Sequence, residues 1–266
     1  MNIGIAGCAG RMGRMLLRAV LDSAEATLIG GTEREDHAAV GSDLGVLAGA
    51  GPVGLAARGD ADAVFAAADV VIDFTTPTLV AGHVRLAVAH GTALIVGTTG
   101  LRAADEAALD EGARHVPVVQ AANMSIGVNL LLGLTRQVAA RLDAGYDIEI
   151  VEMHHRHKVD APSGTALALG RAAAEGRGVV LDAVSDRIRD GLTGPRRSGR
   201  IGFATLRGGD VVGEHTVIFA GEGERIELTH RATSRLIFAR GAVRAALWTD
   251  GRPPGRYGMD DVLGLA

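Results

Sequence analysis

The chain has 266 residues, enough at roughly 150 per domain for one or two domains with cores of their own. Its 27 Lys and Arg against 31 Asp and Glu leave a formal net charge of -4, so no overall field draws nucleic acid or anionic lipid and any basic site has to be local. The single cysteine, Cys8, excludes an internal disulfide framework and a multi-cysteine zinc site and fits a reducing compartment, with the cytoplasm as default; no apolar run approaches the roughly 18 residues of a membrane span, and no targeting segment is visible.

From the N-terminus, Asn2 to Ala6 reads as a short buried strand that runs into Gly7, Gly10 and Gly13 and then into a helical stretch, Met12 to Leu21. A second apolar run, Ala26 to Gly31, ends at Thr32-Glu33-Arg34 and closes a βαβ unit of about the usual 30 residues. Asp69 to Thr75, Ala93 to Gly97 and Pro117 to Ala121 are further β-branched-rich runs, separated by alanine-rich helical stretches at Leu79 to His90 and Ala103 to His115. This alternation predicts a parallel, doubly wound, Rossmann-like sheet.

After Asn123 the rhythm changes. Ser125 is placed to cap a long apolar helix reaching about Leu142, and Asp147 to Met153 reads as a strand. Gly199 to Leu206, Val211 to Ala220 and Arg225 to Arg231 alternate with period two and follow one another too closely for helices between them, which predicts an antiparallel or mixed sheet. The loop Arg187 to Arg200, rich in glycine, reads as the mobile segment. A last helix, Ser234 to Trp248, precedes a Gly- and Pro-rich tail in which Met259 to Leu263 is expected to fold back onto the first domain. The expected fold class is α/β: a dinucleotide-binding Rossmann-like domain over residues 1–125, completed by 235–266, joined to an α+β substrate-binding and oligomerisation domain with a mixed open sheet over 126–234.

Gly7-Cys8-Ala9-Gly10-Arg11-Met12-Gly13 spaces its glycines as G-x-x-G-x-x-G, a variant of the dinucleotide fingerprint in which absent side chains let backbone N–H groups and a helix dipole meet a pyrophosphate. In a chain with 38 glycines, a plain tight turn explains the spacing equally well. Context favours the dinucleotide. The turn follows a strand, opens a helix, and is followed 20 residues after Gly13 by Glu33, where an acid accepts hydrogen bonds from the adenosine ribose diol. Arg34 beside it suits a 2′-phosphate, so the pair is compatible with both NADH and NADPH, although a solvated surface pair accounts for Arg34 as well. Gly97-Thr98-Thr99-Gly100 and Ala121-Ala122-Asn123 end later strands at the carboxyl edge, where ligands sit in open α/β sheets; turn glycines and capping threonines are the alternative.

The densest chemical signal is His154-His155-Arg156-His157-Lys158, followed by Asp160, Pro162, Ser163, Gly164 and Thr165. A solvated basic turn explains the charges but not three histidines together. A zinc site uses neutral imidazoles, and the fixed cations Arg156 and Lys158 with no nearby cysteine speak against a metal. A nucleic-acid patch brings aromatic stacking residues and a wider basic surface, neither of which is present. The remaining reading is a pocket for a small anion with proton donors at hand, since His and Lys share acid and base work and the helix opening near Ser163 offers free N–H groups to a carboxylate.

Glu152 to Ala166, reading EMHHRHKVDAPSGTA, together with GCAGRMG, DFT at Asp73 to Thr75, GTTG at Gly97, AANMSIGVN from Ala121 and IGFATLRGGDVVGEHTV from Ile201, resembles the 4-hydroxy-tetrahydrodipicolinate reductase family over essentially the whole chain. The resemblance implies an NADH- or NADPH-dependent reduction on the diaminopimelate route to lysine, with loss of water from the substrate ring. It implies His154 as proton donor and acceptor, Lys158 as proton donor, and His155, Gly164 and Thr165 as substrate-binding residues. For the cofactor it implies Gly7, Cys8, Ala9, Gly10, Arg11, Met12, Glu33, Arg34, Gly97, Thr98, Thr99, Ala121, Ala122, Asn123 and Met124. Met124 stands where many members place an aromatic residue. No metal is implied; the partner is a small cyclic dicarboxylate, neither nucleic acid nor membrane, and members are usually homotetramers. A non-catalytic dinucleotide sensor with an acidic protein partner, and a dehydrogenase of a related acid, are the competing hypotheses.

Overall fold

The computed structural model describes Met1–Leu265; the expected C-terminal domain limit, Ala266, lies outside the described residues. Two compact units emerge, one of Met1–Ile126 with the chain from Leu236 onward, the other Gly127–Arg235.

The first unit contains β1 (Asn2–Ala6), α1 (Arg11–Leu21), β2 (Thr27–Thr32), α2 (Leu44–Leu47), α3 (Asp62–Ala67), β3 (Val70–Asp73), α4 (Pro77–His90), β4 (Ala93–Val96), α5 (Ala103–Gly112) and β5 (Pro117–Gln120). The helix α6 (Ile126–Arg141) leads into the second unit, with β6 (Asp147–His154), α7 (Gly164–Gly176), α8 (Leu181–Val184), β7 (Ser185–Asp186), β8 (Ile201–Arg207), β9 (Gly213–Ala220) and β10 (Arg225–Ala232). The chain then returns to the first unit as α9 (Leu236–Trp248), β11 (Gly255–Tyr257) and α10 (Met259–Leu263).

The first sheet is parallel, in the order β11-β5-β4-β3-β1-β2. Its strands read as unbroken apolar runs because both faces are covered. Ile3, Ile5, Ile72 and Ile95 pack with Leu16, Leu17 and Val20 of α1, with Ala242 and Ala246 of α9 and with Met259 of α10. Val71, Leu94, Val96 and Val118 point the other way, onto Phe65, Val80, Val84 and Leu109. Period-two alternation thus feeds two cores from one set of strands. Met259 and Val262 are buried in the first of these, so the tail does fold back. The order reverses between β1 and β3, and in sheets of this kind ligands bind outside the carboxyl ends of the strands at such a switch point.

The second sheet is mixed, β10-β9-β6-β8-β7, with β6 parallel to β8 and antiparallel to β9. Ile148, Ile150, Ile201, Val217 and Phe219 bury one face against Ala166, Leu169 and Ala173 of α7. The opposite face carries Glu149, Val151 and Met153, all half-buried. Among the described residues no helix is long and apolar enough to cross a membrane.

The loop expected to be mobile is tethered: Arg189 donates to Glu149 at 2.7 and 2.8 Å, Arg196 to Asp147 at 2.6 Å and Glu149 at 2.8 Å, and Arg200 to Asp186 at 2.7 and 2.9 Å. Its glycines break helix and strand, but its arginines find a row of acids on the neighbouring strands.

Candidate active site

In the first unit the chain leaves β1 through Gly7, whose φ of +71° is a left-handed conformation open chiefly to glycine. The N–H groups of Gly7 and Cys8 both donate to Thr32 O, which ties the turn to the end of β2. At Gly13 a Cβ would lie 2.0 Å from Gly7 O, so the helix can start this close to the turn only without a side chain. No side chain caps Gly10 at the head of α1, leaving the first-turn N–H groups to meet an anion. The Glu33 carboxylate accepts from Ala9 N at 2.7 Å, which places that acid against the glycine turn. Arg34 is exposed and 3.8 Å from Asp36. A turn without side chains, an uncapped helix head and an adjoining acid fit the pyrophosphate and ribose of a dinucleotide.

Of the other residues expected to hold the cofactor, Ala9, Gly10, Arg11 and Met12 line the turn half-buried or exposed. Cys8 does not present its side chain: it is buried against Gly31, and burial together with the nearby Glu33 carboxylate pushes its thiol up to about 12. Met124 is likewise packed in the core, with its carbonyl against Gly241, so only backbone is offered there. Gly97, Thr98 and Thr99 follow β4, and Ala121, Ala122 and Asn123 follow β5, at the carboxyl edge of the sheet. Thr98 is buried and donates to Asp73 Oδ1 at 3.2 Å, whereas Thr99 and Ala122 are exposed.

In the second unit, β6 ends at His154, and the chain turns over the segment after β8: His155 N donates to Val211 O at 2.7 Å, Gly208 N to His154 O at 3.0 Å, and Lys158 N to His155 O at 3.1 Å. His154 is buried. Its Nδ1 lies 2.5 Å from Glu152 Oε2, and its ring meets that of His215 edge-on with centroids 5.1 Å apart. Glu152, two residues earlier and therefore on the same face of the strand, also takes both terminal nitrogens of Arg207, at 2.8 and 2.9 Å, and the backbone N–H of Ser163 at 3.0 Å. Burial pushes the Glu152 carboxyl up, but Arg207, His154 and the Ser163 N–H outweigh it and hold the group below the ordinary carboxylate range. Burial pushes the His154 imidazole down; Glu152 opposes that, and the cations Lys158 and Arg207 add to it.

Ser163 caps α7, its Oγ accepting from Ala166 N at 3.1 Å and lying 3.1 Å from His215 Nε2. His215 is driven down to about 4 by burial and by His154, so its ring is neutral near pH 7. Gly164 and Thr165, the first residues of α7, are therefore linked to His154 through Ser163 and Glu152. Lys158 Nζ pairs with Asp160 Oδ1 at 2.8 Å. His155 lies 3.4 Å from an Arg235 nitrogen through its Nε2.

His154, Lys158, Gly164 and Thr165 thus belong to one continuous network, with His155 in the same turn. Glu152, Arg207 and His215, which hold that network, were not singled out from the sequence, and Ser163 was read only as the opening of a helix. The i, i+2 spacing of an acid and a histidine at a strand end was a usable signal for Glu152; Arg207 carried none, because only strand register sets it beside His154.

Comparison with known proteins adds the following. Residues 1–124 match the family model described as Dihydrodipicolinate reductase, N-terminus, and residues 127–263 the one described as Dihydrodipicolinate reductase, C-terminus. The proteins named 4-hydroxy-tetrahydrodipicolinate reductase in Ruegeria sp. (strain TM1040) and Dinoroseobacter shibae are each 56% identical over 264 residues, covering 99% of this chain and 98% of theirs. A dipicolinate-bound dihydrodipicolinate reductase from Paenisporosarcina sp. TG-14 shares the fold, with a TM-score of 0.78 at 24% identity and 98% coverage of both chains.

Proposed function

Because the chain belongs to the dihydrodipicolinate reductase family, we infer that it is an NAD(P)H-dependent reductase that converts 4-hydroxy-tetrahydrodipicolinate to tetrahydrodipicolinate with release of water, in lysine and diaminopimelate biosynthesis. The observation that carries this reading is the pairing of His154 with a buried carboxylate on the strand that leads, within a few residues, to Lys158 and the capped start of α7.

The nicotinamide of bound NADH or NADPH supplies the hydride. The glycine turn from Gly7 to Met12 and the α1 head receive the pyrophosphate, Glu33 the adenosine ribose, and Arg34 a 2′-phosphate when one is present. The residues after β4 and β5, Gly97 to Thr99 and Ala121 to Met124, border the nicotinamide. In the second unit, His155, Gly164 and Thr165 receive the substrate, the N–H groups at the start of α7 meeting a ring carboxylate. Hydride addition to a conjugated imine builds negative charge on the ring, and the proton that quenches it comes from Lys158 or His154. Supporting this division, cations and N–H donors gather in one unit and the glycine turn lies in the other.

The assembly is a homotetramer in this reading. The half-buried face of the second sheet carrying Val151 and Met153, with the exposed Leu206 beside them in register, supplies the surface that copies share. One buried cysteine and no pair fit the cytoplasm.

The test is direct: substrate generated from pyruvate and aspartate semialdehyde is supplied with NADH or NADPH, and nicotinamide absorbance is followed. Enzyme-dependent oxidation is expected, and binding of dinucleotide with no oxidation would leave the sensor hypothesis standing instead. Light scattering in the same buffer reads the tetramer.

A further inference from the structure

We propose that Glu152 is a positioning residue for the reaction: its two carboxylate oxygens set both the Nδ1–H tautomer of His154 and the placement of the α7 start, so that one buried side chain aligns the proton-transfer group with the anion-receiving end of the helix. This rests on the reading of His154 as the group that moves the proton.

A carboxylate only accepts hydrogen bonds, so the 2.5 Å contact requires the proton on His154 Nδ1 and leaves Nε2 as the working atom. The second oxygen takes Ser163 N at 3.0 Å, and Ser163 is the cap of α7. Both ends of the substrate site are therefore referred to one anchor. The anchor is itself clamped, because Arg207 grips both oxygens in a fork and also donates to the carbonyls of Leu206 and Asp160, each at 2.6 Å. Arg207 stands directly opposite His154 in the β6–β8 register, so the clamp follows from strand pairing. With Glu152 only 1% exposed, water cannot substitute for it.

The groups facing His154 are Glu152 on its own strand, Arg207 on β8, His215 on β9 and Lys158 in the following turn, with Asp160 paired to Lys158. The carboxylate of Glu152 is what chiefly favours the imidazolium; burial, Lys158 and Arg207 disfavour it. Removing the Glu152 charge therefore moves the His154 titration to lower pH.

The experiment uses the full chain with 13C-labelled histidine, the His154 resonance being assigned by its loss in His154→Gln. In Glu152→Gln we expect the His154 midpoint to fall by about one pH unit or more, kcat to drop on the order of 100-fold, the substrate KM to rise, and NADH affinity to stay within twofold of the parent. Glu152→Asp, which keeps the charge but reaches less far, restores the midpoint more fully than kcat, and it decides the matter if Glu152→Gln does not fold. A folded Glu152→Gln with the parent midpoint and kcat overturns the proposal. A parent enzyme inactive on the substrate, with the His154 midpoint still falling in Glu152→Gln, overturns instead the proposed reaction on which the role of His154 rests.

Discussion

Asp73 Oδ2 lies 2.7 Å from His83 Nδ1, and both side chains are shut away from solvent. The other oxygen, Oδ1, accepts from Thr75 N at 2.8 Å, Thr75 Oγ1 at 2.6 Å and Thr98 Oγ1 at 3.2 Å. One carboxylate thereby joins the turns after β3 and β4 to helix α4, at the sheet edge where the nicotinamide is proposed to lie. Burial pushes this carboxyl up, but His83 and Thr75 outweigh it and hold the group below its ordinary range.

A folded-state value below the unfolded one means that the stabilisation is complete above about pH 4 and is lost as pH falls through the lower folded value. Asp73→Asn should flatten the loss of stability between pH 5 and 2, measured by urea denaturation. Asp73→Ala, which strands four donors, should cost about 3–5 kcal/mol at pH 7. An unchanged acid slope in Asp73→Asn would remove Asp73 from the account of acid stability.

His215 acts in a higher window. Its folded value is driven down to about 4, so the unfolded chain binds the proton first and stability falls as pH drops from about 6.5 toward 4. The contribution is on the order of 3 kcal/mol across that window. His215→Gln should remove part of the slope, with the remainder from His154 and His230, both also lowered by burial. Denaturation midpoints at pH 7 and pH 5, parent against variant, give the answer.

At Gly213 a Cβ would lie 3.0 Å from His154 Nε2 and 3.3 Å from its Cδ2, so Gly213→Ala moves the ring by a few tenths of an ångström without breaking the strand. Melting temperature should change by only a few degrees on the usual scale for about 1 kcal/mol, while kcat falls roughly tenfold through misplacement of the reactive nitrogen. Unaltered turnover would mean that Nε2 is not the atom facing substrate.

Lys158→Ala should lower kcat by about 10²–10⁴, the usual worth of a positioned acid. Calorimetric NADH affinity should hold within about twofold, because Lys158 lies outside the unit that contains the glycine turn. The lost pair with Asp160 is half in water, so stability should change by no more than about 1 kcal/mol. Parallel loss of binding and turnover would point to unfolding.

Much of the fold was legible because its signals are local. Val-Val-Ile-Asp and Ala-Leu-Ile-Val read as buried strands, Gly7 to Gly13 reads as a turn that admits close backbone, and Ser163 marks a helix start by its own chemistry, whereas α4 begins at Pro77, two residues before the expected Leu79. The strand β11 was not legible. Gly255–Tyr257 has no pattern of its own and is a strand because the edge of β5 offers it hydrogen bonds. The loop Arg187 to Arg200 showed only its glycines in the sequence; its arginines reach the acids of β6, which only the fold sets beside them.

The amino-acid order by itself determined the two-part α/β architecture, the glycine turn with its acid at the next strand end, and the clustering of His154, His155 and Lys158, since each depends on neighbours a few residues away. Tertiary structure alone decided which ring nitrogen of His154 is engaged, what holds Glu152 ionised, and which turns Asp73 binds together. Glu152 and Arg207 are 55 residues apart, and their meeting follows from the register of two strands that must bury the same apolar face. A slip of one residue would turn every side chain of a strand to the other side of the sheet, so that register is set by the core, and the chemistry at the strand end is set with it.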